Sequence, residues 1–150
     1  MADYNTVEQF ERALDRAIDK AMSKQIAEKV KEYIADYAQM RVYDAYADPI
    51  FNSRWGKNSG ILDKDYMTVD YEASTKTLTI THEVQWQHLR GGAMPQMDLA
   101  DAIQAGINSH RGGAYMYHAP ARPYTNEAEH IYAARAFNDD IITELTKQGF

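Results

Sequence analysis

The sequence of 150 residues contains no cysteine, which excludes a disulfide scaffold, a thiolate metal site and a cysteine nucleophile. No apolar run approaches the roughly 18 residues of a membrane-spanning helix. The N-terminal segment carries acids early and lacks the apolar core of a secretory signal. The formal charge of −6 disfavours non-specific nucleic-acid binding. We therefore expect a soluble intracellular protein.

Proline and glycine are also absent from the beginning of the chain, where Pro49 and Gly56 are the first of each. Before them, apolar residues recur at steps of three or four from Val7 to Tyr37, which predicts a single amphipathic helix. The spacing of Thr6 and Gln9 is that of a capping box. We assign residues 1–48 to a long N-terminal helix and residues 49–150 to the body of one domain.

The length of this helix has a structural consequence. Residues 6–38 in one helix span about 50 Å at 1.5 Å per residue, whereas a compact globule of this size is roughly 40 Å across. The helix therefore bends around the body or projects beyond it, and a projecting apolar stripe needs cover from another subunit. The alternative is a break into two helices without glycine or proline.

A β-hairpin follows the loop-like residues 49–64. Apolar and polar residues alternate over 67–71 and again over 78–86, and the polar residues 72–76 connect the two runs. This pattern predicts two antiparallel strands with one buried face. Because an isolated hairpin is marginally stable in water, we expect it to lie on a helix or to gain a third strand from residues 114–118 or from another chain.

The last part of the chain is predicted to hold two helices separated by loops. A short helix begins at Asp98 and carries Ile107, between loops 87–97 and 108–121, each of which contains a glycine pair. A final helix is capped by Thr125 or Asn126 and stops at Gly149. Its predicted inner face comprises Ala128, Ile131, Tyr132, Ile141, Ile142 and Leu145. The expected fold class is α+β: long N-terminal helix, central antiparallel hairpin or small sheet, short helix and C-terminal helix.

The sequence contains no recognisable catalytic or metal-binding pattern. No two of its five histidines have the spacing of metal ligands on one helix, and no serine lies in a nucleophile-elbow pattern. Asp139 and Asp140 are interpreted as a solvated helix face, and His82 as a core or interface histidine. We expect no enzyme activity, no metal and no cofactor. The alternative is a hydrolase that uses His82, His88 or His118 with an acid.

Tyrosine and arginine indicate contacts between chains. Tyrosine, present 11 times, buries a ring while satisfying its hydroxyl, and arginine makes bidentate contacts with carboxylates. Both glycine-pair loops carry an arginine, although simple packing and disorder are competing interpretations. The predicted interface residues are Tyr43, Tyr46, Arg54, Trp55, Arg90, Arg111, Tyr115, Tyr117, Arg122 and Tyr124.

Several short motifs occur in an order that resembles a family of phage proteins. They are residues 43–49 (YDAYADP), Arg54, residues 59–63 (SGILD), residues 99–106 (LADAIQAG) and residues 121–124 (ARPY). Spread over residues 30–150, this ordered set resembles the head–tail connector or neck (tail-completion) proteins of tailed bacteriophages. The sequence departs from that pattern mildly, with Ile61 in place of leucine and Tyr124 in place of phenylalanine, and it has a longer loop after the hairpin.

The resemblance implies a structural protein of the virion neck, assembled in the host cytoplasm. Such proteins form sixfold or twelvefold rings of identical subunits between the portal and the tail, without a cofactor. The implied partners are other copies of the chain and portal, adaptor or tail-tube proteins, with DNA only as passing cargo and no membrane. The alternative from another class is a small cytoplasmic binding module or regulator that grips a partner through the long helix.

Overall fold

The computed structural model describes residues 4–44, 60–83, 104, 107–108, 118–119 and 123–150. These residues form a long N-terminal helix, an antiparallel hairpin and two C-terminal helices. The predicted α+β fold class is therefore confirmed.

The N-terminal helix runs without interruption from Val7 to Tyr43. It consists of α1 (Val7–Lys20), a π-helical turn π1 (Ala21–Ile26), α2 (Ala27–Ala38) and a second π-helical turn π2 (Gln39–Tyr43). The residue after each of α1, π1 and α2 has helical backbone angles, so the alternative of a break into two helices is wrong. The Thr6 hydroxyl accepts a hydrogen bond from the Gln9 amide at 3.2 Å, which confirms the predicted cap.

The two π turns help to keep the buried side of this helix directed at the body. In an α-helix a four-residue step overshoots one full turn by about 40°, so a stripe with that spacing winds around the helix. A π turn closes i→i+5 hydrogen bonds and takes in an additional residue, which reduces this drift. The residues buried along the helix are Ala17, Ala21, Met22, Ile26, Ala27, Ile34, Ala38 and Val42.

The chain itself covers most of the apolar stripe. Met22 and Ile26 pack with Tyr132 of the C-terminal helices and with partly buried residues of the hairpin. Further along, Ile34, Ala38 and Val42 pack with Ile61, Met67, Tyr124 and Ala128. The expectation that another subunit must cover the stripe is therefore wrong between residues 17 and 42, because hairpin and C-terminal helices pack along the helix.

The hairpin has the predicted alternation and position. Strands β1 (Met67–Glu72) and β2 (Thr77–His82) pair antiparallel, from Met67 opposite His82 to Glu72 opposite Thr77. Met67 and His82 are buried, whereas every second residue of β1 from Thr68 and of β2 from Thr77 is exposed. The predicted strand ends earlier than expected, since β2 stops at His82 and Glu83 lies outside it. Residues 84–86 lie outside the described residues.

A second pair of short strands differs from the prediction. β3 (Ile107–Asn108) and β4 (His118–Ala119) pair antiparallel with each other, so His118 does not add a third strand to the hairpin. Gln104 is helical, as predicted, but Ile107 lies in a strand rather than in the short helix. The remainder of that predicted helix and residues 114–117 lie outside the described residues.

The predicted final helix is two helices. α3 (Tyr124–Arg135) begins after Pro123, without the predicted side-chain cap. α4 (Phe137–Lys147) follows a break at the turn residue Ala136, whose φ of −119° departs from the usual helical value of about −63°. The break resets the helical phase. As a result Ala128 and Tyr132 are buried as predicted, but Ile142 is 60% exposed and Glu144 is buried. The stop at Gly149 is confirmed by its φ of +93°.

Candidate functional site: a cleft beside the hairpin

An open cleft of about 600 Å³ lies beside the N-terminal helix, where π1 and α2 face β1 and α4. Seven of its nine lining residues are polar or charged, and they come from three stretches of the chain that are far apart in sequence. The residues that line it are Ser23, Lys24, Gln25, Ala27, Glu28, Lys29, Glu32, Val69 and Glu144.

The π1 turn separates the core from the cleft. Ala21, Met22 and Ile26 are buried on the side of the turn that faces the body. The intervening residues 23–25 line the cleft. π turns inside α-helices occur frequently at functional sites because the extra residue changes which side chains the helix presents.

A partly buried polar junction holds one wall of the cleft in place. The Lys29 ammonium donates to Asp140 Oδ1, and the Tyr132 hydroxyl donates to Asp140 Oδ2 at 3.0 Å. Tyr132 is only 4% exposed, and burial, followed by the hydrogen bond to Asp140, raises the pKa of its phenol above the ordinary value. The interpretation of Asp140 as part of a solvated face is therefore wrong, whereas Asp139 is exposed.

Glu144 supplies a buried carboxylate at the same wall. Its side chain is 8% exposed, and it accepts a hydrogen bond of 2.6 Å from Lys147 Nζ. In the next turn, the Gln148 side-chain amide donates to the backbone oxygen of Ala17 at 3.2 Å. These contacts fix the end of α4 against α1.

Two glutamates that line the cleft are paired with lysines. Among the described residues no histidine lines it, and Glu28 and Glu32 face Lys31 and Lys64 at 3.3 and 3.5 Å. Across the described part of the chain, no group of three or more histidine, aspartate or glutamate side chains is arranged to hold a metal ion. Charged side chains arranged in pairs can hold a polar segment in place.

A second polar cluster fixes the hairpin to the helix. Lys76, in the turn between the strands, contacts Asp19 at 2.7 Å and Asp15 at 3.3 Å, and the Tyr71 hydroxyl donates to Asp19 at 2.8 Å. The hydrogen bond from Lys76, and then that from Tyr71, lowers the pKa of the Asp19 carboxyl. Lys76 has a φ of 54°, so the turn places an L-residue in the left-handed region to make this contact.

His82 and Tyr124 form a buried pair in the core. The Tyr124 hydroxyl lies 3.1 Å from His82 Nδ1, and their side chains meet edge to face. Tyr124 is fully buried and His82 is 8% exposed. The prediction of a core histidine is confirmed, and the ring of Tyr124 lies inside the monomer rather than on its surface.

An aromatic patch lies at the beginning of the N-terminal helix. Phe10, which is 42% exposed, contacts Tyr4 and Phe150 at ring distances of 5.4 and 5.9 Å, and the neighbouring Val7 is 73% exposed. We call Tyr4, Val7, Phe10 and Phe150 the aromatic patch. Among the described residues, Val7 and Phe10 of this patch are the most exposed residues of the predicted apolar stripe.

Most of the predicted interface residues lie outside the part of the chain that the structure describes. Tyr43 ends π2, and Tyr124 is the buried residue noted above. The others are Tyr46, Arg54, Trp55, Arg90, Arg111, Tyr115, Tyr117 and Arg122. His88 and His110 likewise lie outside the described residues, and His130 is exposed on α3.

Sequence reasoning did not identify the cleft. Its walls come from residues 23–32, Val69 and Glu144, and no local pattern brings these segments together. The one sequence feature that could have indicated it was Glu144, a charged residue between the apolar positions of the last predicted helix.

None of the helices within the described residues combines the length and apolar character needed to cross a membrane. The sequence profile of the YomN family matches residues 6–149, so the chain belongs to that family. YomN itself is a Bacillus phage-region protein. Neither the curated proteins nor the solved structures include a significant match.

Proposed function

We propose that this member of the YomN family is a structural virion protein of the head–tail junction. It assembles as a ring that joins the portal complex of the capsid to the tail and lets DNA pass. The observation that carries the proposal is the match to a phage-region family over residues 6–149. The ordered motifs from residue 43 to residue 124, which resemble those of neck proteins, support the same role.

The surface features support a role in contact between proteins. The cleft is lined by paired charges, and the aromatic patch exposes Val7 and Phe10. Exposed aromatic and apolar groups flanked by charged residues are typical of protein–protein interfaces. In this proposal the chain works by assembly, without catalysis or a cofactor.

Deletion of the gene from the phage that carries it tests this function. If the chain joins heads to tails, electron micrographs of the deletion phage show DNA-filled heads and separate tails. The number of infectious particles falls because heads and tails stay unjoined. Expression of the wild-type chain from a plasmid restores joined particles, whereas a matched plasmid with an early stop codon does not. Normal yields of joined, infectious particles without the chain would contradict the proposal.

The alternative is a cytoplasmic binding module or regulator, and the exposed aromatic patch is the observation that favours it. An amphipathic helix with open apolar residues at one end can pack into a partner's groove. This alternative predicts a stable one-to-one or dimeric complex in cell extracts, and no copies of the chain in purified particles.

A further inference from the structure

Both edges of the hairpin carry backbone groups that point away from it. The Glu83 amide donates to the Tyr66 carbonyl at 3.0 Å, next to the paired residues Met67 and His82. Hydrogen-bonded and non-bonded pairs alternate in an antiparallel ladder. The N–H and C=O groups of Val69 therefore point out of the β1 edge, and those of Ile80 point out of the β2 edge. Within the described residues no third strand pairs with either.

The β1 edge is bordered by the cleft. Val69 is the strand residue that lines it, facing the helical residues of π1 and α2. An extended segment paired with β1 would therefore lie next to this open space. Natural proteins protect unpaired edge strands with charged side chains, proline or bulges. β2 has no lysine, proline, aspartate or glutamate, so its edge lacks this protection, whereas Asp70 and Glu72 of β1 disfavour pairing with an acidic strand.

The charges on the outer face indicate which strand fits this edge. The exposed residues of β1 include Asp70 and Glu72, whereas those of β2 are three threonines. Pairing of β1 with β1 of another copy would bring carboxylates close together, which is unfavourable. Pairing of β2 with β1 places threonine beside carboxylate and avoids this repulsion.

We propose that copies of this chain join edge to edge, with β2 of one copy pairing to β1 of the next beside the cleft. Each copy then pairs its β2 edge with one neighbour and its β1 edge with the other. Repeated around an axis, such a head-to-tail contact forms a closed ring when the last copy meets the first. β2 pairing with β2 would instead stop at a dimer and leave both β1 edges open. The inference rests on the proposed function only for closure into a ring.

Introduced cysteines test the contact, because the chain has none of its own. Asp70 and Thr79 face each other within one hairpin, so each is replaced in a separate full-length protein, Asp70→Cys and Thr79→Cys, tagged to differ in mass. The cysteines are then oxidised to disulfides, which require Cα atoms within about 7 Å of each other, under conditions in which light scattering shows assembly. We expect cross-linked dimers that contain one copy of each variant, and a loss of cross-linking when either variant is present alone.

Each other outcome has a defined meaning. Cross-linking of Thr79→Cys alone indicates β2–β2 pairing and overturns the proposal, as does assembly without any cross-link or a chain that stays monomeric at every concentration. Asn138→Cys, at an exposed position on α4, is the matched control and should not cross-link. Far-UV circular dichroism confirms that each variant is folded.

Hydrogen exchange of the wild-type chain provides a second measurement. On assembly, the amides of Val69 and Ile80 should gain protection, whereas that of Thr79, already directed into the hairpin, should change little. The junction role and the edge contact fail separately. A chain present in virions but without mixed cross-links loses only the edge contact, and mixed cross-links in a chain absent from virions overturn only the role.

Discussion

Replacement of Asp140 by asparagine should destabilise the protein because Asp140 joins three helices. It accepts hydrogen bonds from Lys29 of α2 and from Tyr132 of α3, while it belongs to α4 itself. A hydrogen bond to a charged group contributes about 1.5–3 kcal/mol. The substituted asparagine still offers an acceptor to the Tyr132 hydroxyl. Because Lys29 is 36% exposed, solvent screens its ion pair with Asp140, which contributes no more than about 1 kcal/mol. We therefore expect a loss of about 1–2 kcal/mol for Asp140→Asn.

The neighbouring Asp139 provides a matched control. It lies in the same first turn of α4, so Asp139→Asn removes the same charge from the same end of the helix dipole. Its side chain is exposed, and we expect its substitution to change the free energy of unfolding by less than about 0.5 kcal/mol.

Urea unfolding followed by circular dichroism measures both variants under the same conditions. A lower midpoint with an unchanged slope indicates lost stability rather than a change in the denatured state. A double-mutant cycle with Tyr132→Phe should give a coupling of at least about 0.5 kcal/mol, because the two residues are in contact. Equal effects of Asp139→Asn and Asp140→Asn, or purely additive effects in the cycle, would refute the reasoning.

Three further predictions concern the core, the hairpin turn and pH. Ile26→Ala should cost about 2–5 kcal/mol, because Ile26 is 1% exposed, whereas Ile142→Ala, at a 60% exposed site, should cost far less in the same urea titration. Lys76→Gly should be more stable than Lys76→Ala by about 1 kcal/mol, because both substitutions remove the ion pairs but only glycine adopts a positive φ without strain. Equal urea midpoints for the two variants would contradict this. Because the folded-state pKa of Tyr132 is raised above 10.0, stability should fall as pH rises above about 10, and less steeply in Tyr132→Phe; identical alkaline profiles would contradict it.

The elements that sequence predicted well are those with strong local periodicity. The apolar steps between Val7 and Tyr37 required a helix, and the alternation around Val69 and Ile80 required two strands in one register. Thr6 and Gly149 marked helix ends, because a threonine hydroxyl caps a helix N-terminus and glycine adopts the positive φ that ends a helix. In each case the deciding interaction lies within a few residues of the signal.

The features that sequence did not predict depend on distant contacts. Asp140 resembled a solvent-exposed residue because its partner Lys29 is 111 positions away in the chain. The break at Ala136 has no glycine or proline to mark it, and it moved Ile142 outward and Glu144 inward. Helix length alone did not reveal that the hairpin and the C-terminal helices pack along the N-terminal helix.

The most direct test of the junction role is to locate the chain in intact particles. Mass spectrometry of purified virions followed by electron cryomicroscopy of the neck measures both its presence and its copy number. We predict a ring of identical copies between portal and tail, with a copy number that matches the ring symmetry. Absence of the chain from mature particles, together with a normally formed neck, would contradict the role proposed for it.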